Sequence, residues 1–534
     1  MANILLIEPG YKNKYPPLGL MKIAAYHGPH GKRDRVRFIK GEDQDVLGTA
    51  WDRIYITTLF SFEFSRIAQT IEFARKVANN HNDRIFVGGI AASLMPERFA
   101  REHRWHGIRF IKGLLGEAPA ISLQLDQFSE ELYAEDRSST PIEDLIPDYS
   151  ILDQVTHKYP VQDAYFAYAS RGCIRKCSFC GVPKLEGAQR DTQSLSALVE
   201  GIEARHGIKK DLILMDNNVV ASPRFHEIIA EIRDLGFTAG AKLTNRRVPI
   251  QRRVDFNQGV DARILCKDPA YLRDLSTICL KPLRIAFDHL GLKGPYEKAI
   301  RYAHDAGLRE MSNYMLYNFH DSPADLYERM RLNVTLNEQL GLRIWSFPMR
   351  YQPTDLPERS FIGEKWTRYQ LRSMQIILQA THGVVSGAPQ FFSRAFGETS
   401  DDYADLLLHP HHFIFNRDYY EFGEGGNDWF RFRRALQRLS PDEKTELLML
   451  LSSCDPKDFR LLPRNARSTN VKRILSFYRP LDKDLETTIW ARQKELRRAE
   501  DPALSLPEDE RVEDAGLQAD EEAPTSRYRK ASTS

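Results

Sequence analysis

The sequence predicts an α/β chain made of a doubly wound parallel sheet, a run of repeated strand–helix units and a mostly helical region. Three observations predict it. Short apolar strands alternate with helical patterns through the first 125 residues. Between 164 and 350 a strand–loop–helix unit recurs about six times. After residue 350 the alternation stops and helical periods take over. A chain of 534 residues is long enough for two or three domains. The boundaries read as a first domain 1–125, a linker 126–163, a core 164–350, a helical domain 351–499 and a tail 500–534.

In the first domain the candidate strands are 3–7, 36–39, 54–58, 85–87 and 108–111. A helix over 63–78 carries Ile67, Ile71, Phe73, Ala74 and Val77 on a helical period, and another resumes near Met95. Gly88 and Gly89 directly follow a strand, where a backbone can approach a ligand closely. The linker is rich in charge, Ser and Pro. In the core the candidate strands are 164–170, 212–215, 241–244, 255–260, 283–287, 312–317 and 343–347. Ser322-Pro323-Ala324-Asp325 signals a helix start, with Ser as N-cap, Pro at the first helical position and an acid at the third. Leu326, Met330, Val334 and Leu340 then give that helix one apolar face. Further helices are expected over 365–380 and 431–453. The tail holds ten acids against four bases and almost no aromatics, the composition of a disordered segment.

Composition points to a reduced, cytoplasmic protein. Six cysteines in 534 residues cannot form a disulfide framework. The opening MANILLIEPG lacks a basic n-region and reads as a strand instead of a signal peptide. No apolar run approaches the roughly 20 residues of a membrane span. A net charge of +2 gives no global basic field, so a nucleic acid is admissible as a partner but not indicated.

The chemistry sits in RGCIRKCSFCG, residues 171–181. Cys173, Cys177 and Cys180 stand in a Cys-x3-Cys-x2-Cys arrangement with Phe179 just before the last, and no fourth cysteine is near. Three thiolates can hold three irons of a [4Fe–4S] cube and leave the fourth open. A zinc site or a disulfide pair are the alternatives; zinc would require a second nearby pair of Cys or His, and none follows. Cys266, Cys279 and Cys454 are isolated and suit small buried apolar positions.

This loop resembles that of the radical S-adenosylmethionine (SAM) superfamily. The resemblance implies a partial (β/α)6 barrel for the core, with SAM chelated to the open iron and cleaved to a 5′-deoxyadenosyl radical. It also implies reduced flavodoxin or ferredoxin as electron donor. Pro16-Pro17-Leu18-Gly19-Leu20, VGGIAAS (87–93) and KGLLGEAP (112–119) resemble the cobalamin-binding domain that precedes many such cores. That implies a Rossmann- or flavodoxin-like first domain with Gly88 and Gly89 near the cofactor. None of the 15 histidines lies in an Asp-x-His-x-x-Gly context, so no cobalt-ligating histidine of that kind is expected. The cobalamin branch methylates, rearranges or cyclises unactivated carbons, so the implied activity is a transferase of methyl groups. Radical modification of a nucleic acid or peptide without cobalamin stays open beside it. A methylthiotransferase is disfavoured for want of a second cysteine group. A non-catalytic iron–sulfur carrier or redox sensor would cover all four irons with cysteines.

The same resemblance implies that Asp216 and Asn217, after the second core strand, grip SAM through its donors. Asp288 matches a position where relatives carry a glutamate toward SAM. Arg263 and Asn318 end further strands and suit the SAM carboxylate or the substrate, while His289 and His320 suit proton shuttles or structural roles. Arg171, Arg175 and Lys176 surround the cysteines and would favour thiolates. His409, His411 and His412 form a weaker metal candidate without an acid or cysteine partner.

Overall fold

The computed structural model describes residues 1–115, 141–245, 247–385, 387–478, 480 and 483–499, with side chains as far as 493. The acidic tail, the first part of the linker (126–140), the last four residues of the 112–119 segment and the side chains of 494–499 lie outside the described residues.

The first domain is the expected doubly wound sheet. Strands β1 (Asn3–Glu8), β2 (Arg35–Lys40), β3 (Arg53–Thr58), β4 (Ile85–Gly89) and β5 (Arg109–Phe110) are all parallel, in the order β2-β1-β3-β4-β5. The order reverses between β1 and β3, the switch point outside whose carboxyl ends open α/β sheets bind ligands. Helix α1 (Leu18–His27) returns from β1 to β2, and α2 (Phe64–Val77) from β3 to β4. Ile67, Ile71, Phe73, Ala74 and Val77 are buried, so the face chosen by periodicity is the one that packs. A single expected helix near Met95 is two short ones, α3 (Ile90–Leu94) and α4 (Pro96–Ala100), because Pro96 ends the first and opens the second. Trp105 and Phe99 close the core of this sheet.

The core follows as parallel strand–helix units. Strand β6 (Ala164–Ala167) leads into β7 (Ser170–Arg171), which pairs antiparallel with β8 (Arg190–Asp191); β9 (Asp211–Leu214) follows. One expected strand, 241–244, proves different. Only Lys242–Leu243 (β10) is extended, and it pairs antiparallel with β11 (Ile250–Gln251) as a short hairpin. Gly236 and Gly240, both at positive φ, turn the chain before it can lie along the sheet. The next strand, β12 (Val254–Phe256), completes a parallel sheet β12-β9-β6. Strand β13 (Leu283–Arg284) runs parallel to the start of β14 (Glu310–Tyr317), and β15 (Arg343–Arg350) ends the series.

The chain forms two compact bodies that cut across the expected boundaries. The first comprises Met1–Ala286, Gly294–Asn313 and Tyr351–Phe361, so the first domain and the cysteine loop share it. The second comprises Phe287–Lys293, Tyr314–Arg350 and the described residues from Ile362 on. Within it the helix Pro323–Leu340 starts as the sequence predicts. Ser322 accepts from the Asp325 amide, Asp325 accepts from the Ser322 amide, and the helix ends at Gly341 in the left-handed region. The expected 431–453 helix is two, Gly426–Gln437 and Pro441–Ser452, since Ser440 caps a new start at Pro441. These helices bury Phe413, Phe432, Leu447 and Tyr478 in a core of their own. No helix among the described residues is long and apolar enough to cross a membrane.

Candidate functional site

The three cysteines lie on one loop whose two ends are zipped together. Strands β7 and β8 pair Ser170 with Asp191 and Arg171 with Arg190, and the Cys173 amide donates to the Gly187 carbonyl at 3.3 Å. Gly172 sits at φ 75°, and a Cβ there would lie 2.3 Å from the Ala188 carbonyl oxygen. Only glycine lets the chain enter the loop so close to its own return. Cys173, Cys177 and Cys180 form no disulfide and are partly exposed, and Phe179 is partly exposed too. The Arg175 amide points at Cys173 Sγ (3.3 Å) and the Val182 amide at Cys180 Sγ (3.5 Å). Such N–H donors to ligand sulfurs tune a bound cluster's potential. Three thiols are the number of donors that a cube with one open iron takes from a protein. Among the described residues no three His, Cys, Asp or Glu side chains gather around one point as a single ion requires.

Around the loop the structure redistributes the expected roles. Arg171 is buried, its guanidinium 3.3 Å above the Tyr168 ring, and it pairs with Glu143 and, at 3.2 Å, with Glu186. Its charge is compensated by these carboxylates. Lys176 is exposed. Arg175 instead pairs with Asp261 at 2.8 Å, which also takes Arg263 at 2.7 Å. Arg263 interacts with Cys177, which makes it the guanidinium that reaches a candidate ligand. Burial raises the Asp261 carboxyl, but the two guanidiniums outweigh it and hold the group below its ordinary value.

Asp216 is buried, and its carboxylate accepts from the Ala169 amide (2.9 Å), the Ser170 amide and the Ser170 hydroxyl (2.7 Å). Burial pushes it up to about 6, against those hydrogen bonds. Its acceptors therefore serve the turn into the cysteine loop. Asn217 donates to Glu186 at 2.9 Å, and Asn218 accepts from the Asp261 amide at 3.3 Å. Sequence reasoning missed Glu143, Glu186 and Asp261. Glu186, six residues after Cys180, carries no motif of its own and is found only through its partners.

In the first domain, Gly89 is at φ 103° and a Cβ there would meet the Thr58 carbonyl at 2.6 Å, so strand packing alone requires glycine. At Gly88 a Cβ would touch only Ile111, at 3.5 Å. Thr58 donates to the Gly88 carbonyl and Ser93 to the Gly89 carbonyl, tying this carboxyl edge together. His27, buried at the far end of α1, is bound to Asp34 and Tyr55. The edge thus presents glycine and backbone surface.

In the second body, Asp288 is partly buried and feels the charge of Arg329, which is fully buried and donates to Asp321 at 3.0 Å. Asn318 is fully buried and accepts from the Gly363 amide at 2.7 Å, a structural role. His289 and His320 are exposed. The histidine trio is core packing: His409 bonds the Asp405 carbonyl, His411 stacks on Tyr369 and His412 packs on Tyr420. Burial lowers His409 and His411 to about 3 and His412 to about 4. Among the other cysteines Cys279 is buried and pushed up to about 11, while Cys266 and Cys454 are half-buried.

No family model matches the chain, and no curated protein does. Similar solved structures include two chains. One is a radical S-adenosylmethionine methyltransferase, TsrM, from Kitasatospora setae, with cobalamin and a [4Fe–4S] cluster bound. Identity is 15%, over 66% of this chain and 77% of that one, with a TM-score of 0.45. The other is apo OxsB, a cobalamin-dependent S-adenosylmethionine radical enzyme. It is 12% identical over 97% of this chain and 83% of its own, with a TM-score of 0.47. Likeness at this level assigns neither a residue nor an activity.

Proposed function

We propose that the chain is a radical SAM enzyme that holds one [4Fe–4S] cluster on Cys173, Cys177 and Cys180 and acts on an unactivated carbon. Methyl transfer is the leading reaction, with cobalamin at the carboxyl edge of the first sheet and a reduced flavodoxin or ferredoxin as electron donor. One observation carries the reading: three partly exposed cysteines, none in a disulfide, share a single loop with its ends zipped by β7 and β8, and two of them accept backbone N–H donors. When bound, the cluster and SAM supply the reducing electron and the carbon radical.

The chain's own groups do the rest. Gly172 and the β7–β8 pair fix the entrance and exit of the loop. Arg263 brings a cation to Cys177, and Asp261 orients it. Asp216 holds the turn at Ala169 and Ser170 from which the loop departs. The β1–β3 switch point supports cobalamin because that is where open parallel sheets take cofactors.

Replacing Cys173, Cys177 or Cys180 by Ala should abolish the brown absorbance of the anaerobically reconstituted chain. Iron should fall from about four per chain toward none. Replacing Cys266, Cys279 or Cys454 should leave both unchanged. Full iron content in a Cys177→Ala chain would contradict the assignment.

A further inference from the structure

A line of alternating buried charge runs from the first domain to the root of the cysteine loop. Lys22, on α1, lies 3.4 Å from a Glu143 carboxylate oxygen and also donates to the Glu143 carbonyl. Glu143, in the linker, pairs with Arg171, and Arg171 pairs with Glu186 at 3.2 Å. The second Glu186 oxygen accepts from the Gly172 amide at 2.8 Å and from Asn217 at 2.9 Å. Lys22 and Arg171 are 7% exposed and the Glu186 side chain 8%, while Glu143 is partly buried, its side chain 19% exposed. Buried charges persist only where paired and hydrogen-bonded, and removing one partner strands the other.

The placement is specific. Gly172 is the residue before Cys173, and Glu186 is where the chain returns from the loop, so one carboxylate bridges both ends. Arg171 is held on three sides: the Tyr168 ring below and a carboxylate on either flank. Only the planar fork of arginine serves two carboxylates while lying on an aromatic face. We propose that Glu143 and Glu186 are positioning residues for the cysteine loop, clamping Arg171 between them, and that Lys22 extends the clamp into the first domain. The proposal rests on the loop being a cluster site, but the rigidity it predicts exists without iron.

The test compares the full-length chain with Glu143→Gln, Glu186→Gln and Lys22→Met. Brief trypsin digestion of the iron-free proteins reads loop opening, because Lys176 is exposed within the loop. Cleavage at Arg175 or Lys176 should quicken on the order of tenfold in the two glutamine variants. Lys22→Met, at the outer end, should show a smaller increase in the same direction and serves if a glutamine variant fails to fold. After anaerobic reconstitution the same variants should retain less iron and release it faster to a chelator, while trypsin cleavage elsewhere in the iron-free chain stays close to wild type. Unchanged cleavage in every folded variant overturns the clamp, whatever their iron content. A melting temperature that collapses together with faster cleavage everywhere in the chain overturns it too, since that reports general unfolding. If wild type itself takes up no iron, the cluster assignment fails, and the cleavage comparison alone decides the clamp.

Discussion

Cys173, Cys177 and Cys180 stand out in the sequence because their spacing, without a fourth cysteine nearby, points to a three-thiolate cluster loop. The groups that hold the loop do not, because a carboxylate's partner is a fact of three dimensions. Asp216 shows this best. A carboxylate at a strand end is equally suited to a ligand's donors and to a neighbour's amides, and the fold gives it Ala169 and Ser170. Asp216→Asn should therefore lower the melting temperature of the ligand-free chain, through the loss of an acceptor worth about 1–3 kcal/mol. A variant as stable as wild type but weaker in SAM binding would restore the ligand role. Arg171 is a like case: its position beside the cysteines suggests activation of thiolates or a charged loop, and the fold pairs it with Glu143 and Glu186.

Elements were read best where local chemistry specifies them. The Ser322 capping box and the apolar stripe of α2 need no distant contact to be recognised. The β10–β11 hairpin was misassigned because two-residue strands leave no period to count. The two glycines ending β4 now separate. Gly89→Ala should destabilise the chain by about 2 kcal/mol or more, since a Cβ meets the Thr58 carbonyl at a backbone angle suited to glycine. Gly88→Ala should be nearly neutral, which makes position 88 the informative one for cobalamin retention. Thermal melting checks both; equal losses would show that the β3–β4 spacing is not the constraint. The helices of the second body carry a pH prediction. Burial lowers His409 from 6.5 to about 3, so the unfolded chain binds its proton more tightly than the folded one. Its contribution is fully present above 6.5 and is lost as pH falls toward 3. Near pH 5 this single histidine should lower stability by about 2 kcal/mol. His409→Phe should flatten the fall in melting temperature between neutral and acid pH; an unchanged slope would contradict its burial as a neutral base.

For the whole molecule, alternation of strands and helices revealed the class of fold but not its division into bodies. Pattern marks where one kind of element gives way to another. Compactness depends on which elements pack, and residues 351–361 pack with the first body although they follow β15 in sequence. The cysteine loop and the first domain share that body, and Lys22, Glu143 and Arg171 join them. The central claim is that this loop supports reductive cleavage of SAM. The most direct measurement is chromatographic detection of 5′-deoxyadenosine from the reconstituted full-length chain, reduced anaerobically in the presence of SAM. Formation by wild type and its absence from Cys177→Ala is the predicted result. A Cys177→Ala chain that produces it at the wild-type rate, or an iron-loaded wild type that produces none, would contradict the claim.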